Sequence, residues 1–483
     1  MVTDLLQHSK RLTAPLTSGT VAVAGGARSG VAVACLLKRL GFDVMLSDVA
    51  VLSDASIKRL EANGVQWEQG GHSSQAMECD WLVVSPGVPT HSPITQAYLL
   101  ADKPVVSELD VAYWQLREHL HGGKVIAITG TNGKTTVTQW VSHIWSQADL
   151  AHRTGGNLGT PLSEILLDLM DNPVDGVMDV LLEVSSFQLD HIHLFHPDIS
   201  ILLNISEDHL DRYGDSMDAY TAAKARLVEH HTSGDILIYN IDDPRCAAIA
   251  AALHTRSPES EIYSFTLGSN DETTNKSDHG AHLDKSTDTL HIHIPHTDPF
   301  HMNTNDLALP GAHNQANGMA AALAAKSRHV KNEALKDALG HFEGVEHRLE
   351  HVATIDGVRY INDSKATNIN AVWYALDSYQ EPITLILGGR DKGNDYRLLD
   401  DQLRTKGRAI VAIGEASKTI MDELSGQVPD LVTAETMADA VREAKRLAKR
   451  GEIVLLSPGC SSFDMFENYE HRGNAFKEEV LSL

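Results

Sequence analysis

Short apolar runs recur along the chain, and each is followed by a turn and then by a stretch with helical periodicity. In the first segment, the runs predicted as buried strands are TVAVAG, DVMLSD, WLVVSPG and PVVSE. Helical periodicity follows the first run as far as Leu40 and returns in IKRLEAN. This alternation of strands and helices predicts a parallel sheet with helices on both faces.

The same alternation returns twice more. A second set of apolar runs begins at Lys124, and a third begins near Glu346. Because no short-period repeat is present, the pattern predicts an α/β protein of three domains and not a solenoid. We expect a Rossmann-like domain at residues 1–118, a central P-loop ATPase-like domain with a parallel sheet at 119–345, and a Rossmann-like α/β domain at 346–483.

Hydrophobic periodicity lapses between about Gly268 and Asn305, where Asp, Thr, Asn, Ser and His dominate. This composition predicts an inserted surface excursion. Within it, the run HIHIPH alternates His291 and His293 with isoleucines, which places both imidazoles on one face of a strand. Metal binding and a solvated strand face both fit that pattern, and in a chain with 26 histidines we favour the solvated face.

Composition narrows the possible partners. The formal net charge of -25 over 483 residues argues against a nucleic-acid or anionic-membrane surface, because both require a basic face. The four cysteines are widely spaced and form neither a metal quartet nor a disulfide framework. No signal peptide is visible at the N-terminus, and no apolar run approaches the ~18 residues of a membrane span. We expect a cytoplasmic monomer with reduced thiols.

Residues 124–136, KVIAITGTNGKTT, place a buried strand before a glycine-rich turn that ends in lysine and threonine. Such a turn directs backbone N–H groups at an anion on the N-terminus of the following helix. Lys134 is expected to reach the β- and γ-phosphates, and the Thr135 hydroxyl to bind Mg²⁺. The strict motif has a glycine where this chain has Ile128, so the turn is a variant, and an incidental glycine turn remains the alternative.

A second glycine turn, GGARSG from Gly25 to Gly30, follows the first predicted strand. It resembles a dinucleotide fingerprint, but Ala27 replaces the second glycine. Asp48 ends the next strand, where such folds place an acid on a ribose hydroxyl. A redox dinucleotide and another nucleotide held by a Rossmann-like domain are both compatible with these features. The loop Ser85–Gly87 follows a neighbouring predicted strand and is expected near the same nucleotide.

Several polar residues follow the predicted strands of the central domain. Glu183 ends DVLLEVSS and is placed to hold Mg²⁺ directly or through water, with a capping or surface glutamate as the alternative. His209 lies in NISEDHLDRY and is either a metal ligand or a loop histidine. Lys224 lies on a predicted helix among alanines, and its spacing alone predicts a solvated lysine.

The third domain repeats this placement of polar residues at strand ends. An arginine in EHRLE, at position 348, has the bidentate geometry suited to phosphate. The carboxyl ends of strands in an open α/β domain are where ligands bind. The residues that we place at these ends are Asp363, Lys365, Thr367, Lys392, Ser462 and Phe463, whereas His347 and Arg348 lie at the start of the domain.

Ten motifs occur here in the order and approximate spacing of the Mur ligases, which the whole chain resembles. They are TGTNGKTT, GGNLG, LEVSSFQL, NISEDHLDRY, AYTAAKARL, GAHNQAN, EHRLE, INDSKATN, GGRDKG and SPGCSSFDMF. The forms SSFQL and EDHLDRY are similar to the members that add D-glutamate to UDP-N-acetylmuramoyl-L-alanine. The resemblance implies an ATP-dependent carboxylate-amine ligase of cytoplasmic peptidoglycan synthesis, with domains that bind the UDP-substrate, ATP and the amino acid in that order.

The resemblance also implies roles for individual residues. The expected ATP contacts are Gly130, Thr131, Asn132, Gly133, Lys134, Thr135, Thr136, Asn314, Arg348 and Asp363. Two Mg²⁺ ions are expected on Thr135, Glu183, His209 and a carbamylated Lys224. The UDP-substrate is expected at Arg28, Ser29, Asp48, Ser85, Pro86, Gly87 and Asn157. D-glutamate is expected at Lys365, Thr367, Lys392, Ser462, Phe463 and Tyr469.

This sequence departs from the family pattern at Phe463 and Tyr469, where that pattern has leucine and phenylalanine, so the amino-acid pocket is expected to differ in shape. Arg28 is also unexpected in the first glycine turn, and a phosphate contact and a solvent-facing side chain are equally compatible with it. A sister ligase that adds another amino acid, a non-catalytic ATP-dependent regulator and a dehydrogenase are the competing functions.

Overall fold

The computed structural model of the protein describes residues 11–157, 159–268, 279–391 and 393–483. These residues form three α/β domains, one around each of three β-sheets. Lys392, predicted to contact D-glutamate, lies outside the described residues. Among the helices that are described, none is both long and apolar enough to cross a membrane.

The first sheet has five parallel strands in the order β3-β2-β1-β4-β5. All four predicted strands of this segment are present, and the sheet also includes β3, QWEQ, which has no apolar run to announce it. The strands are β1 Thr20–Ala24, β2 Asp43–Asp48, β3 Gln66–Gln69, β4 Trp81–Val84 and β5 Val105–Ser107. The helices are α1 Arg28–Arg39, α2 Asp54–Ala62, α3 Ser74–Glu78, α4 Pro93–Leu100 and α5 Glu108–Leu116.

The second sheet has the order β14-β13-β12-β11-β10-β9-β6-β8-β7. Its strands are β6 Val125–Thr129, β7 His152–Gly156, β8 Asp179–Glu183, β9 Ile199–Leu202, β10 Ile236–Asn240, β11 Glu261–Thr266, β12 Gly280–Asp284, β13 Thr289–His293 and β14 Phe300–Asn303. The helices that follow are α6 Lys134–Gln147, α7 Leu162–Asp171, α8 Ser186–Leu189, α9 Met217–Ala225, α10 Pro244–Arg256, α11 Ala312–Ser327 and α12 Asn332–Gly340. The central strands β6 and β8 are buried at every position, as parallel strands covered on both faces must be.

The structure corrects the expected surface excursion after Gly268. Residues 269–278 lie outside the described part, but β12, β13 and β14 extend the edge of the second sheet, with β12 and β13 antiparallel. Their buried positions alternate with polar ones, which is the period of a strand with one wet face. His291 and His293 do share that wet face, as predicted, because Leu290 and Ile292 are buried.

The third sheet has the order β15-β16-β20-β17-β18-β19, in which only the pair β15 and β16 is antiparallel among the described strands. The strands are β15 Glu350–Ile355, β16 Val358–Asn362, β17 Ile383–Gly388, β18 Gly407–Ile413, β19 Asp430–Ala434 and β20 Ile453–Leu456. The helices are α13 Ile369–Asp377, α14 Asp400–Lys406, α15 Ser417–Glu423, α16 Met437–Leu447 and α17 Tyr469–Leu481. Four of these strands were predicted from apolar runs, and β15 and β19, with few buried positions, were not.

Short 3₁₀ turns complete the secondary structure of the described residues. They are Arg117–His119, Leu210–Tyr213, Arg226–Val228, Thr304–Asp306 and Tyr396–Leu399. By packing, the chain divides into two compact units. One unit runs to His301 and includes Met319–Ala338, so it holds the first sheet and the second sheet as far as the start of β14. The other unit comprises Met302–Gly318 and Leu339–Leu483.

Candidate active site

The glycine-rich turn predicted to bind phosphate connects β6 to α6. Gly133 adopts a left-handed conformation, with φ of 85°, immediately before the helix begins at Lys134. Asn204, just beyond β9, holds the turn by accepting the Asn132 N–H at 2.8 Å and donating its amide to the Asn132 carbonyl at 3.1 Å. The Asn204 carbonyl also accepts the Thr131 N–H at 2.8 Å. The turn is therefore held in place by a neighbouring strand end.

Two lysines converge on this turn. The Lys134 ammonium donates to the carbonyls of Gly130 and Thr131 at 2.9 and 2.8 Å. Lys224, on α9, donates to the same Gly130 carbonyl at 2.9 Å. Burial lowers the pKa of the Lys224 amine well below its ordinary value, and the charge of Lys134 lowers it further. The spacing of Lys224 predicts a solvated lysine, and that prediction is wrong because the side chain is only 2% exposed.

Glu183 ends β8 beside the start of α6, as its position after an apolar run predicts. Its carboxylate accepts the Thr135 hydroxyl at 2.5 Å and the Asn157 amide at 3.0 Å. A Cβ on Gly156 would approach the Glu183 carbonyl to 2.2 Å, so glycine is required where β7 passes this residue. Three of the predicted residues, Thr135, Asn157 and Glu183, are thus in direct contact.

The loop after β9 carries His209 at a left-handed φ of 53°. Its imidazole is 41% exposed, with Nε2 3.6 Å from the Asp208 carboxylate, and its ring makes an edge contact with Phe187. The guanidinium of Arg212, three residues later, lies over the same Phe187 ring, with its central carbon 4.0 Å from the ring centroid. His209 therefore lies on the rim of the site, whereas Glu183 and Lys224 lie inside it.

The first sheet presents its own loops at the carboxyl ends of β1 and β4, where chain order reverses. Asp48 accepts the N–H groups of Gly26 at 2.5 Å and Ala50 at 2.8 Å, so its carboxylate fixes the glycine turn. Ser85 donates its hydroxyl to the Gly25 carbonyl at 3.1 Å. A Cβ on Gly30 would lie 1.7 Å from the Gly25 carbonyl oxygen, which accounts for the glycine there.

The remaining predicted residues of the first sheet lie at the surface of these loops. Arg28 is exposed and donates to the Gly159 carbonyl at 3.2 Å. Ser29 and Pro86 are half-buried, and Gly87 is exposed.

In the third domain, Asp363 is a buried carboxyl at the end of β16. It accepts the Ser457 hydroxyl at 2.8 Å and the Leu349 N–H at 3.3 Å, and the Arg348 guanidinium lies 3.7 Å away. Burial raises the pKa of Asp363 to about 6, against the opposing effect of Arg348. Among the described residues, the buried Nε–H of Arg348 has no hydrogen-bond partner.

His347 and Asn314, two further predicted residues, are each held by hydrogen bonds to neighbouring residues. His347 has a left-handed φ of 62°, and Asn362 lies 2.9 Å from its Nδ1. Asn314, near the start of α11, donates to the Pro310 carbonyl at 2.8 Å and accepts from Asn317 at 3.2 Å. Both residues are buried, so their direct role in the structure is to fix the surrounding backbone.

The residues predicted to receive D-glutamate are more open. Lys365 places its ammonium 5.7 Å from the Tyr469 ring centroid, and Thr367 is half-buried. Ser462 is buried and accepts the Phe466 N–H through its carbonyl at 2.8 Å, whereas Phe463 is 63% exposed. The structure brings Lys365 and Tyr469 together and leaves Phe463 facing solvent.

Sequence reasoning missed two residues that organise these sites. Asn204 clamps the phosphate turn, and its only signal was the polar cluster that follows β9. Arg472, buried on α17, donates to the carbonyls of Cys460 and Ser364 at 3.1 and 2.8 Å and so joins two of the predicted strand ends. Nothing in the helical pattern around Arg472 distinguishes it from a surface arginine.

The residues that could hold a metal ion at this site are a hydroxyl and a carboxylate. No group of three or more His, Cys, Asp or Glu side chains within the described ranges is arranged to hold a metal ion. The hydroxyl of Thr135 and the carboxylate of Glu183 are, however, hard oxygen donors in contact, beside a turn shaped for phosphate. This donor set fits Mg²⁺, which is usually bound by one or two carboxylates together with substrate phosphates.

Three domain families match this chain, in the order of its three sheets. The MurD N-terminal domain matches residues 23–94, the Mur ligase middle domain matches 128–325, and the Mur ligase glutamate ligase domain matches 347–460. Two solved structures share the fold, namely UDP-N-acetylmuramate-alanine ligase MurC from Thermotoga maritima and MurF from Acinetobacter baumannii. The MurC structure aligns with a TM-score of 0.57 at 18% identity, over 96% of this chain and 99% of its own. The MurF structure aligns with a TM-score of 0.57 at 16% identity, over 99% of this chain and 98% of its own.

Fold and domain order therefore define a Mur ligase. Among curated relatives, UDP-N-acetylmuramoylalanine--D-glutamate ligase of Salinibacter ruber is 43% identical over 95% of this chain and 97% of its own length. The enzyme of the same name from Chloroherpeton thalassium is 38% identical over 96% and 98%. The chain belongs to the Mur ligase family, within the branch of UDP-N-acetylmuramoylalanine--D-glutamate ligases.

Proposed function

We propose that the phosphate turn of the central domain activates the carboxylate of a UDP-linked substrate, and that the third domain supplies the amine acceptor. The reaction is the ATP-dependent addition of D-glutamate to UDP-N-acetylmuramoyl-L-alanine, a carbon–nitrogen bond-forming step of peptidoglycan synthesis. The observation that carries the residue assignment is the convergence of Lys134, Thr135, Glu183 and Lys224 on one turn.

In the first step, the substrate carboxylate attacks the γ-phosphorus of ATP, and ADP leaves. Lys134 exchanges its bonds to the turn carbonyls for phosphate oxygens and offsets the charge that develops on the transferring group. The backbone N–H groups of the turn and of the first turn of α6 hold the remaining phosphates. Asn204 keeps the turn in place, so that this charge stabilisation requires little rearrangement of the backbone.

In the second step, the amine of D-glutamate attacks the acyl phosphate carbonyl, the amine loses a proton, and inorganic phosphate leaves. Mg²⁺ supplies positive charge that lowers the repulsion between phosphate and carboxylate oxygens. Two ions are proposed, held by Thr135, Glu183, His209 and a carbamylated Lys224. Support for the carbamate comes from the burial of Lys224, because only a neutral amine adds to carbon dioxide and burial, which lowers the pKa of this amine, favours the neutral form.

The other predicted residues are proposed as substrate contacts. Asn314, Arg348 and Asp363 are assigned to the nucleotide, and the unpartnered Nε–H of Arg348 supports this role. The UDP-substrate is assigned to the loops at Asp48 and Ser85–Gly87, with Asn157 on the muramoyl side. D-glutamate is assigned to the Lys365 and Tyr469 region, and the domain limits 1–118, 119–345 and 346–483 follow these three roles.

The protein is proposed to act as a monomer in the cytoplasm, without a nucleic-acid or membrane partner. The net charge of -25 supports this proposal, because anionic polymers and lipids would repel such a surface. Light scattering on the purified protein tests the monomer, and co-sedimentation with anionic vesicles tests the membrane.

The assay that tests the reaction follows phosphate release with ATP, Mg²⁺ and UDP-N-acetylmuramoyl-L-alanine. D-glutamate, L-glutamate, L-lysine and meso-diaminopimelate are offered in turn, and the product mass identifies the amide. Turnover with D-glutamate alone is the expected result. Turnover with a different acceptor would reassign the chain to a sister activity, and phosphate release with no acceptor dependence would exclude a ligase.

A further inference from the structure

The 3₁₀ turn Leu210–Tyr213 joins two parts of the candidate site. It follows His209 directly, and the Arg212 N–H donates to the His209 carbonyl at 3.1 Å. The Arg212 side chain then extends to the loop after β4, where its guanidinium donates to the Pro86 carbonyl at 2.7 Å and the Val88 carbonyl at 3.0 Å. The segment His209–Tyr213 thus includes the proposed metal ligand, His209, and also holds the loop proposed to bind the UDP-substrate.

The Arg212 guanidinium is also fixed from its other sides. Its central carbon lies 4.0 Å from the centroid of the Phe187 ring, and that ring in turn contacts the His209 imidazole, with centroids 5.0 Å apart. One guanidinium nitrogen lies 3.9 Å from the buried Asp190 carboxylate. Because the side chain is only 11% exposed, these contacts leave it little freedom to move.

We propose that Arg212 is a positioning residue that sets the place of the Ser85–Val88 loop, and with it the UDP-substrate, relative to His209. A planar guanidinium that bonds two carbonyls on one loop fixes both the position and the orientation of that loop. An ammonium group has neither the planar fork nor the face that stacks on Phe187. The proposal rests on the proposed function, because it assigns a role within the same site.

The test compares three variants of the full-length protein. Arg212→Ala removes every side-chain contact, and Arg212→Lys keeps the charge without the fork. Arg39→Ala is the matched control, because Arg39 also joins the first domain to the second, through Asp171 on α7, but from the end of α1 opposite the Gly25–Gly30 turn. The measurements are KM for each substrate, and calorimetric binding of UDP-N-acetylmuramoyl-L-alanine without ATP.

Arg212→Ala is expected to raise both KM and Kd for the UDP-substrate about 10- to 100-fold, the effect of losing a charge-assisted hydrogen bond. The KM for ATP is expected to change less than about 3-fold, and Arg212→Lys to give an intermediate loss. Arg39→Ala should match the parent in all constants. Retention of the parent Kd by both Arg212 variants would overturn the proposal.

A merely structural role predicts a different result, in which Arg212→Lys lowers the thermal unfolding midpoint and weakens all three substrates equally. That outcome would also overturn the proposal. If the parent binds the UDP-substrate but shows no turnover with any acceptor, the proposed function fails, while the calorimetric comparison still tests Arg212. Absence of UDP-substrate binding by the parent would overturn both.

Discussion

The phosphate turn and the proposed D-glutamate region differ in how their side chains are held. Around the turn, Glu183 and Lys224 are 3% and 2% exposed, and hydrogen bonds to the Thr135 hydroxyl and the Gly130 carbonyl fix them. In the third domain, Phe463 is 63% exposed and Lys365 is half-buried. Groups that handle charge gain strength from burial and preorganisation, whereas a region that selects an amino acid needs an accessible surface. We expect substitutions to abolish chemistry in the first region and to adjust preference in the second.

The strongest test of this comparison is Lys134→Ala. Turnover should fall by about 10³-fold, because the variant lacks a charge that acts on the transferring phosphoryl group. Phosphate release measures the loss, and a thermal melt confirms folding. The exposed Lys336→Ala variant should behave as the parent. Activity within about 10-fold of the parent would reject the phosphate assignment of this turn.

Lys224→Ala tests whether burial creates the metal ligand. Turnover should fall by about 10²- to 10³-fold, and added acetate or formate should restore part of it by replacing the carbamate oxygens. Mass spectrometry of the parent in bicarbonate, under mild conditions, should detect the added carbon dioxide. Full activity of the alanine variant would remove Lys224 from the site.

Asp363 tests the same comparison within the third domain, because it is 1% exposed although the proposed D-glutamate region of that domain is more open. Its folded pKa of about 6 lies above the ordinary value of 3.8, so the folded state binds more protons between these values. The contribution of protonated Asp363 to stability is therefore complete below about pH 4 and is lost as the pH rises through about 6. This loss lowers the free energy of unfolding by about 3 kcal/mol.

Asp363→Asn should reduce this fall in stability between pH 4 and 6.5, measured by denaturant unfolding at a series of pH values. The exposed Asp401→Asn variant is the control and should keep the parent profile. Asp190, whose pKa burial also raises to about 6, contributes a similar slope from the central domain. An unchanged profile in Asp363→Asn would mean that this carboxyl titrates alike in folded and unfolded chains.

The smallest effect is expected for Phe463→Leu. Because the ring is mostly exposed, stability should change by less than about 0.5 kcal/mol. The KM for D-glutamate should change by less than about 3-fold, with kcat kept. A change above 10-fold would show that Phe463 contacts the amino acid, and would reverse our view of this region as tolerant.

The sequence predicted what periodicity and local motifs encode. The parallel strands with continuous apolar runs and the phosphate turn could be located, because a strand buried on both faces leaves an unbroken apolar signal. Edge strands such as β3 and β19 left none. Within the site, the contact between Thr135 and Glu183 follows from adjacent strand ends, and this part was predictable.

Burial of individual polar residues was not predictable from spacing. Lys224 lies among alanines on a short helix, and only the tertiary packing of that helix against Gly130 removes its amine from water. Asn204 and Arg472 likewise act through residues distant in the chain. Such contacts depend on how elements distant in sequence pack together within a domain, which a local pattern does not contain.

Gly156 has a consequence for how this protein can vary. Any side chain there would press on the backbone of Glu183, and the left-handed φ of 109° adds a second penalty. A saturation library at this position, selected for ligase activity, would therefore return glycine almost alone, while a library at the exposed Phe463 would return many residues. The different tolerance of these two positions follows from what a side chain meets at each, the Glu183 backbone at Gly156 and solvent at Phe463.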